Sequence, residues 1–224
     1  MKLMVQLLMT QTHDDLTELT ELEAQFADRL ELTPEAADLL FREARSANSF
    51  SDEPVTDEQV RAIYELIKWG PTAMNNQPLR IVLVRSPEAR GRLVEHMGGN
   101  NKPKTSTAPL VAVLAVDDDF HDELPTVFPI FPGARDMLAA DDANRRTTAD
   151  LNAALQAAYF IIGVRAAGLA AGPMTGFDAD GVTREFFPDG KHRAFMVVNI
   201  GRPGPDAWFD RLPRLGYDEV VTTA

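Results

Sequence analysis

Three short apolar strands alternating with helices predict a layered fold of the α/β or α+β class. Residues 79–84, 109–116 and 194–200 are runs rich in Val, Leu and Ile, each bounded by turn formers. Segments of helical periodicity separate them, and no internal repeat or linker divides the body. At 224 residues, 45% hydrophobic and 25% charged, the chain fits one medium domain with appendages.

Composition narrows the function classes. The absence of cysteine removes disulfides, thiolate metal sites and cysteine nucleophiles, and leaves the redox compartment open. The net charge of −12 is concentrated at the start, where residues 1–60 hold 14 Asp/Glu against 4 Lys/Arg. The remaining 20 acids and 18 bases leave the body almost neutral, which argues against nucleic acid as a partner. No window approaches the roughly 20 apolar residues of a membrane span, and the apolar run at 1–9 is too short for a signal peptide. No membrane partner is expected, and the default placement is cytoplasmic.

In order, residues 1–36 read as an acidic leader, helical or partly disordered. Leu16, Leu19, Leu22, Phe26 and Leu30 would line one face of a helix capped by Asp14 or Asp15. From Thr33, an N-cap followed by Pro34, a better specified helix carries Ala37, Leu39, Leu40 and Ala44. It leads into Arg45-Ser46-Ala47-Asn48-Ser49-Phe50. There a guanidinium and neutral donors can hold a phosphate, or Arg45 can simply pair with helix-terminal carbonyls.

The clearest helix follows. Thr56 and Gln59 fit a capping box, Val60, Ile63, Tyr64 and Ile67 recur on one face, and Gly70-Pro71 ends it. Between this helix and the strand at 79–84 sits a polar loop with Thr72, Met74, Asn75, Asn76 and Gln77, closed by Pro78. Three carboxamides pinned between rigid elements suit a flat, heteroatom-rich ligand such as a flavin ring; the alternative is that they satisfy the loop and each other.

Ser86-Pro87 starts a further helix, stopped by Gly98-Gly99-Asn100. The strand at 109–116 is apolar on both faces and therefore central. Asp117-Asp118-Asp119 has only His121 nearby and no calcium-loop spacing, so no metal site is expected. Residues 119–148, with Pro125, Pro129 and Pro132, read as an irregular insertion, a lid or a surface-packed loop. Residues 150–167 form a helix apolar nearly all round, buried in the core or against a second copy. Gly172-Pro173-Met174-Thr175-Gly176 reads as a glycine turn that lets backbone approach a ligand, and Asp178 caps a short helix ending near Phe186. Arg211 and Arg214 lie in a Pro-stiffened tail. The Gly-x-Gly-x-x-Gly of dinucleotide folds, the P-loop, the Gly-x-Ser-x-Gly elbow and paired metal-spaced histidines are all missing.

Taken together, five motifs resemble the FMN-dependent nitroreductase family, and within it the branch that includes malonic semialdehyde reductase. They are Arg45 to Phe50 with Asp52-Glu53-Pro54-Val55, Trp69 to Pro78, Gly172 to Asp178, Asn199-Ile200-Gly201, and Arg211-Leu212-Pro213-Arg214. The resemblance covers residues 37–224. It implies an α+β fold with a central, mostly antiparallel sheet flanked by helices, an extended C-terminal arm, and an intertwined homodimer with FMN at the subunit interface. It further implies that Arg45, Ser46, Arg214 and Arg211 hold the phosphate. Asn75 and Gln77 would address the ring and ribityl chain, with Thr72 and Met74 close by. The backbone N–H of Thr175 or Gly176 would approach flavin N5, with Pro173 and Met174 also among the cofactor-binding residues. Asn48 stands where many family members carry a second arginine. The implied activity is NADH- or NADPH-driven reduction of a small acceptor, malonic semialdehyde or, alternatively, nitro compounds and quinones. A non-catalytic FMN-binding dimer is a further alternative. Arg135 is the candidate for gripping a substrate carboxylate.

Overall fold

The computed structural model describes residues 29–224, so the leader helix expected over residues 14–30 lies almost wholly outside the described residues. The chain divides into two units, Met1–Glu43 and Ala44–Ala224. In the first, α1 (Pro34–Ala37) is capped by the Thr33 hydroxyl and opens into a π-turn over Asp38–Arg42, where the Glu43 N–H reaches the Asp38 carbonyl at 3.0 Å. The helix stops short of Ala44, earlier than its apolar pattern suggested.

The second unit is built on a four-stranded antiparallel sheet of β1 (Leu79–Val84), β2 (Leu110–Asp117), β3 (Ala170–Met174) and β4 (His192–Gly201), in the order β1-β2-β4-β3. Helix α2 (Asp57–Ile67) begins with the reciprocal capping box of Thr56 and Gln59. It leads through the polar loop to β1 (Leu79–Val84), and then to α3 (Pro87–His96). A helix not foreseen, α4 (Asn101–Thr107), follows the Gly98-Gly99-Asn100 break; Pro103 fits its first turn, where backbone N–H groups have no helical acceptor. Strand β2 (Leu110–Asp117) is buried along its whole length, central as expected.

The stretch at 119–148 is more regular than an insertion. It holds a 3-10 turn (Phe120–Glu123), α5 (Leu124–Val127) and α6 (Ala134–Ala139), which close a core of Val116, Phe120, Leu124, Leu138 and Ala153. It also holds the first turns of α7 (Asp142–Ala166), capped by Asp141, eight residues before the expected start. The charged sequence there hid a helix whose early turns face solvent and ion pairs rather than core.

Of the glycine turn expected at 172–176, residues 172–174 instead belong to an edge strand, β3 (Ala170–Met174), which among the described residues pairs only with β4 (His192–Gly201). Pro173 and Gly172 disguise it, because both residues are depleted in strands; an edge tolerates the proline. Asp178 caps α8 (Ala179–Phe186) as expected. The tail is extended apart from a short helix, α9 (Tyr217–Val220).

Close approaches are made by missing side chains. A Cβ on Gly163 of α7 would stand 2.4 Å from Ile67 Cγ2, so this glycine sets the contact of α7 with α2. A Cβ on Gly172 would stand 2.6 Å from the Ala47 carbonyl oxygen, a backbone atom with nowhere to go. Gly172 therefore allows the segment after Arg45 to lie on β3, where the Ala47 N–H donates to the Ala171 carbonyl at 3.0 Å. Replacing it as Gly172→Ala is expected to destabilise the chain by about 1–3 kcal/mol through overpacking, read as a lowered midpoint in urea.

Candidate functional site

The residues predicted to hold a phosphate gather around the tail. Arg45 Nη1 donates to the Phe209 carbonyl at 3.1 Å, and the Asn48 N–H donates to the Ala207 carbonyl at 2.9 Å. Ser46 is exposed beside them, and the Asn48 amide reaches the Ser46 carbonyl at 3.4 Å. Lys104 of α4, a residue the sequence did not mark, donates to Asn48 Oδ1 at 2.6 Å, and its ammonium lies 5.9 Å from the centre of the Phe209 ring. Two cations, a hydroxyl and a carboxamide within this cluster form a donor set suited to a dianionic phosphate. Only the fold brings Lys104 there, because α4 was itself illegible.

The strand that supports this cluster ends in the Thr175-Gly176 turn. Both turn residues are exposed, while Pro173 and Met174 are half-buried on β3. The Gly176 carbonyl accepts from the Gly98 N–H at 2.9 Å and from Asn101 Nδ2 at 3.0 Å, which fixes the turn against the start of α4. The next anchor is Asp178. Its carboxyl is held below the usual carboxylate range first by the Gly181 N–H, with Arg184 and His96 adding to the effect. Asn199 is buried under this strand, its amide 3.9 Å from the Met174 sulfur.

The polar loop is strained. Met74, Asn75 and Gln77 have φ of 52°, 51° and 41°, left-handed values that cost a residue with a side chain about 1–3 kcal/mol each. Asn75 Nδ2 donates to the Val127 carbonyl at 2.8 Å, Gln77 Nε2 donates to Asn75 Oδ1 at 3.1 Å, and the Gln77 N–H reaches the Thr72 hydroxyl at 3.5 Å. Arg80, paired with Asp117 at 2.6 Å, donates to the Gln77 carbonyl at 2.9 Å. Met74 packs on the core closed by α5 and α6. Asn76 is 1% exposed and lines a cavity of about 470 Å3 beside Tyr64, Lys68 and Gln156; neither heteroatom of its side chain has a partner among the described residues.

Sequence reasoning also missed the polar side of α7. Asn152, Gln156 and Tyr159 recur at i, i+4 and i+7 on a helix read as apolar. They hold the Ala73 N–H at 2.8 Å, the Leu79 N–H at 3.0 Å and the Pro71 carbonyl at 3.0 Å. The spacing itself was the available signal.

Other expected site residues are placed elsewhere. Arg135 donates to Asp122 at 3.0 Å and to Asp136 at 3.1 Å, and these carboxylates raise its pKa, Asp136 foremost. Arg214 donates to the Leu212 carbonyl of its own exposed segment at 2.9 Å, and Arg211 is exposed in the same tail. The Asp117-Asp118-Asp119 run is engaged by Arg80, Arg193 and Lys191 respectively. One copy of the chain thus unites Arg45, Ser46, Asn48 and Lys104 with the Thr175-Gly176 turn through β3. The loop with Asn75 and Gln77 precedes β1, at the opposite edge of the sheet.

Comparison with known proteins agrees with this architecture. A model of the nitroreductase family matches residues 41–202. A Streptomyces coelicolor protein that carries the provisional name NADH dehydrogenase/NAD(P)H nitroreductase is 68% identical over 194 residues, covering 87% of this chain and 98% of that protein. A crystal structure described provisionally as a Bacillus subtilis nitroreductase superposes with a TM-score of 0.71 at 26% identity, covering 85% of this chain and 99% of its own. An Exiguobacterium sibiricum protein, described provisionally as a nitroreductase and crystallised in complex with FMN, shares the fold with a TM-score of 0.76 at 17% identity, covering 87% of this chain and 99% of its own. With most of the second unit matched by the family model and by a relative of this similarity, the chain belongs to the nitroreductase family.

Proposed function

We propose that the chain is an FMN-dependent NAD(P)H oxidoreductase that works as a homodimer and reduces small acceptors. The observation that carries this reading is the cluster of Arg45, Ser46, Asn48 and Lys104, whose Ala47 N–H is bonded to β3, the strand that runs on into the Thr175-Gly176 turn. One end offers cations for a phosphate, and the other offers exposed backbone for a ring edge. The FMN complex of the Exiguobacterium neighbour and the names of the relatives support the same cofactor and electron donor. When bound, FMN supplies the hydride chemistry, taking reducing equivalents from NAD(P)H and giving them to the acceptor, so the protein's work is to bind, orient and exclude water.

In this reading Arg45 and Lys104 neutralise the phosphate, and Lys104 supplies the charge lost by having Asn48 in place of an arginine. Asn75 and Gln77, left-handed and rigid, present amides to the ring from the second copy, because the two halves of the site lie at opposite sheet edges in one copy. Arg211 and Arg214 reach a phosphate by way of the arm. Apolar surface favours that assembly. Leu151, Ala154, Leu155 and Ala158 form an exposed i, i+3, i+4, i+7 stripe on α7. Trp69 is 79% exposed, and the arm leaves Phe209, Leu212, Leu215 and Tyr217 uncovered.

Among acceptors, nitro compounds fit the names of the relatives, with quinones as a further alternative. Malonic semialdehyde, reduced to 3-hydroxypropionate, is the second reading, favoured by Asn48. It asks for a cation at its carboxylate, and Arg135 would have to leave Asp122 and Asp136 to provide one.

Rapid mixing of the FMN-loaded protein with NADH or NADPH tests the central claim. Loss of the oxidised-flavin absorbance, and its return on adding nitroaromatic, quinone or semialdehyde, is the expected result. A protein that stays yellow is a binder only, and one that stays colourless with FMN holds no flavin. Lys104→Ala is expected to weaken FMN by about 1.5–3 kcal/mol, on the order of ten- to a hundredfold in Kd, measured by fluorescence titration. Leu151→Glu places a charge on the proposed interface and is expected to shift the protein from dimer to monomer in sedimentation.

A further inference from the structure

Nothing in the Thr72–Gln77 loop keeps three left-handed residues in place by itself. Its bonds to Val127 and to Asn75 Oδ1 come from loop side chains, and the Asn75 and Asn76 N–H groups reach the Thr72 and Ala73 carbonyls of the same loop, so all of these move with it. Two elements hold the loop from outside. Arg80 of β1 donates to the Gln77 carbonyl at its end, and α7 meets its start, where of three α7 contacts the one at Asn152 reaches the loop itself. Pro71 and Leu79, held by Tyr159 and Gln156, flank it.

Asn152 is 1% exposed, and both ends of its amide are used. Nδ2 donates to the Thr148 carbonyl one turn back at 2.8 Å, which locks the side-chain rotamer. Oδ1 is thereby aimed outward and accepts the Ala73 N–H at 2.8 Å. Ala73 immediately precedes Met74, where the chain turns left-handed. Holding the Ala73 N–H fixes the orientation of the peptide plane from which the left-handed turn departs. We infer that Asn152 is the positioning residue of this loop, setting through the Ala73 peptide the attitude in which Asn75 and Gln77 meet the cofactor. It touches no ligand itself.

The chemistry fits a carboxamide. A hydroxyl at this position would be too short to serve both groups, and an apolar side chain would leave a buried N–H and a buried carbonyl without partners. The inference about cofactor presentation rests on the flavin reading above, whereas the hold on Ala73 does not.

The test separates the two by using two readouts on the full chain. Amide hydrogen exchange in flavin-free protein, wild type against Asn152→Leu, is expected to accelerate at least about tenfold at Ala73, Asn75 and Gln77 while β2 amides stay within about twofold. Asn152→Gln, which keeps both a donor and an acceptor, is expected to restore slow exchange at Ala73. FMN titration of the same proteins is expected to show about tenfold weaker binding for Asn152→Leu, with recovery in Asn152→Gln. Equal acceleration in the loop and in β2, or an unchanged loop, overturns the positioning role. Faster loop exchange with unchanged FMN affinity and spectrum overturns the link to the cofactor. If wild type itself binds no FMN, the flavin reading and the presentation role built on it fall, and exchange alone decides the hold on Ala73. Should Asn152→Leu not fold, Asn152→Ser, which shortens the reach without adding bulk, must give the same loop-confined acceleration or the inference fails.

Discussion

Helix α7 has to lie closer to its neighbours than ordinary side chains permit, and most of the second unit follows from that. Gly163 admits the methyl groups of Ile67 and Ile63, while Ala153 and Ala157 are buried with no bulk to spare. Burying apolar surface stabilises this packing at about 25 cal/mol per Å2, and small residues let backbone and side-chain polar groups come within hydrogen-bond reach as well. The result is a helix that is core on one side, apolar but exposed on another, and polar where it faces the loop ahead of β1. The same element supports the sheet, restrains the strained loop and offers a face to a second copy.

What the amino-acid order revealed and what it concealed can be separated physically. The capping box at Thr56 and Gln59, the apolar runs of β1, β2 and β4, and the Asp178 cap are local signals, and each appears where it was expected. Strand β3 was concealed because an edge position suspends the usual penalty on Gly172 and Pro173. Helix α4 was concealed by Pro103, and α7 was read too short because its first turns are charged. The site divides in the same way. Arg45, Ser46 and Asn48 are contiguous, so their association was legible. Lys104 joins them only through tertiary packing, 56 residues away. Arg214 and Arg135, each in a segment that offers its own nearby acceptors, are placed on those acceptors.

Family membership bears on these residues unevenly. The family model spans residues 41–202, and with them all four strands and the turns at 72–77 and 172–178, but not the tail that carries Arg211 and Arg214. The structure adds how the polar groups are distributed: a lysine brought to Asn48, a guanidinium at Arg135 held by two carboxylates, and a buried Asn76 whose side-chain heteroatoms have no partner among the described residues. Buried polar groups without partners are costly, and so they mark where a neighbour, a water or a ligand completes the structure.

Strand β3 carries a geometric consequence. Ala171 and Gly172 anchor the Arg45 segment at one end, and Thr175-Gly176 leaves the other. Extended chain advances about 3.3 Å per residue, so the four steps from Ala171 to Thr175 place the two ends on the order of 13 Å apart. The strand is therefore a measuring rod for whatever bridges cation cluster and turn. Adding or deleting one residue would alter the span by one step and send every following side chain to the opposite face of the sheet.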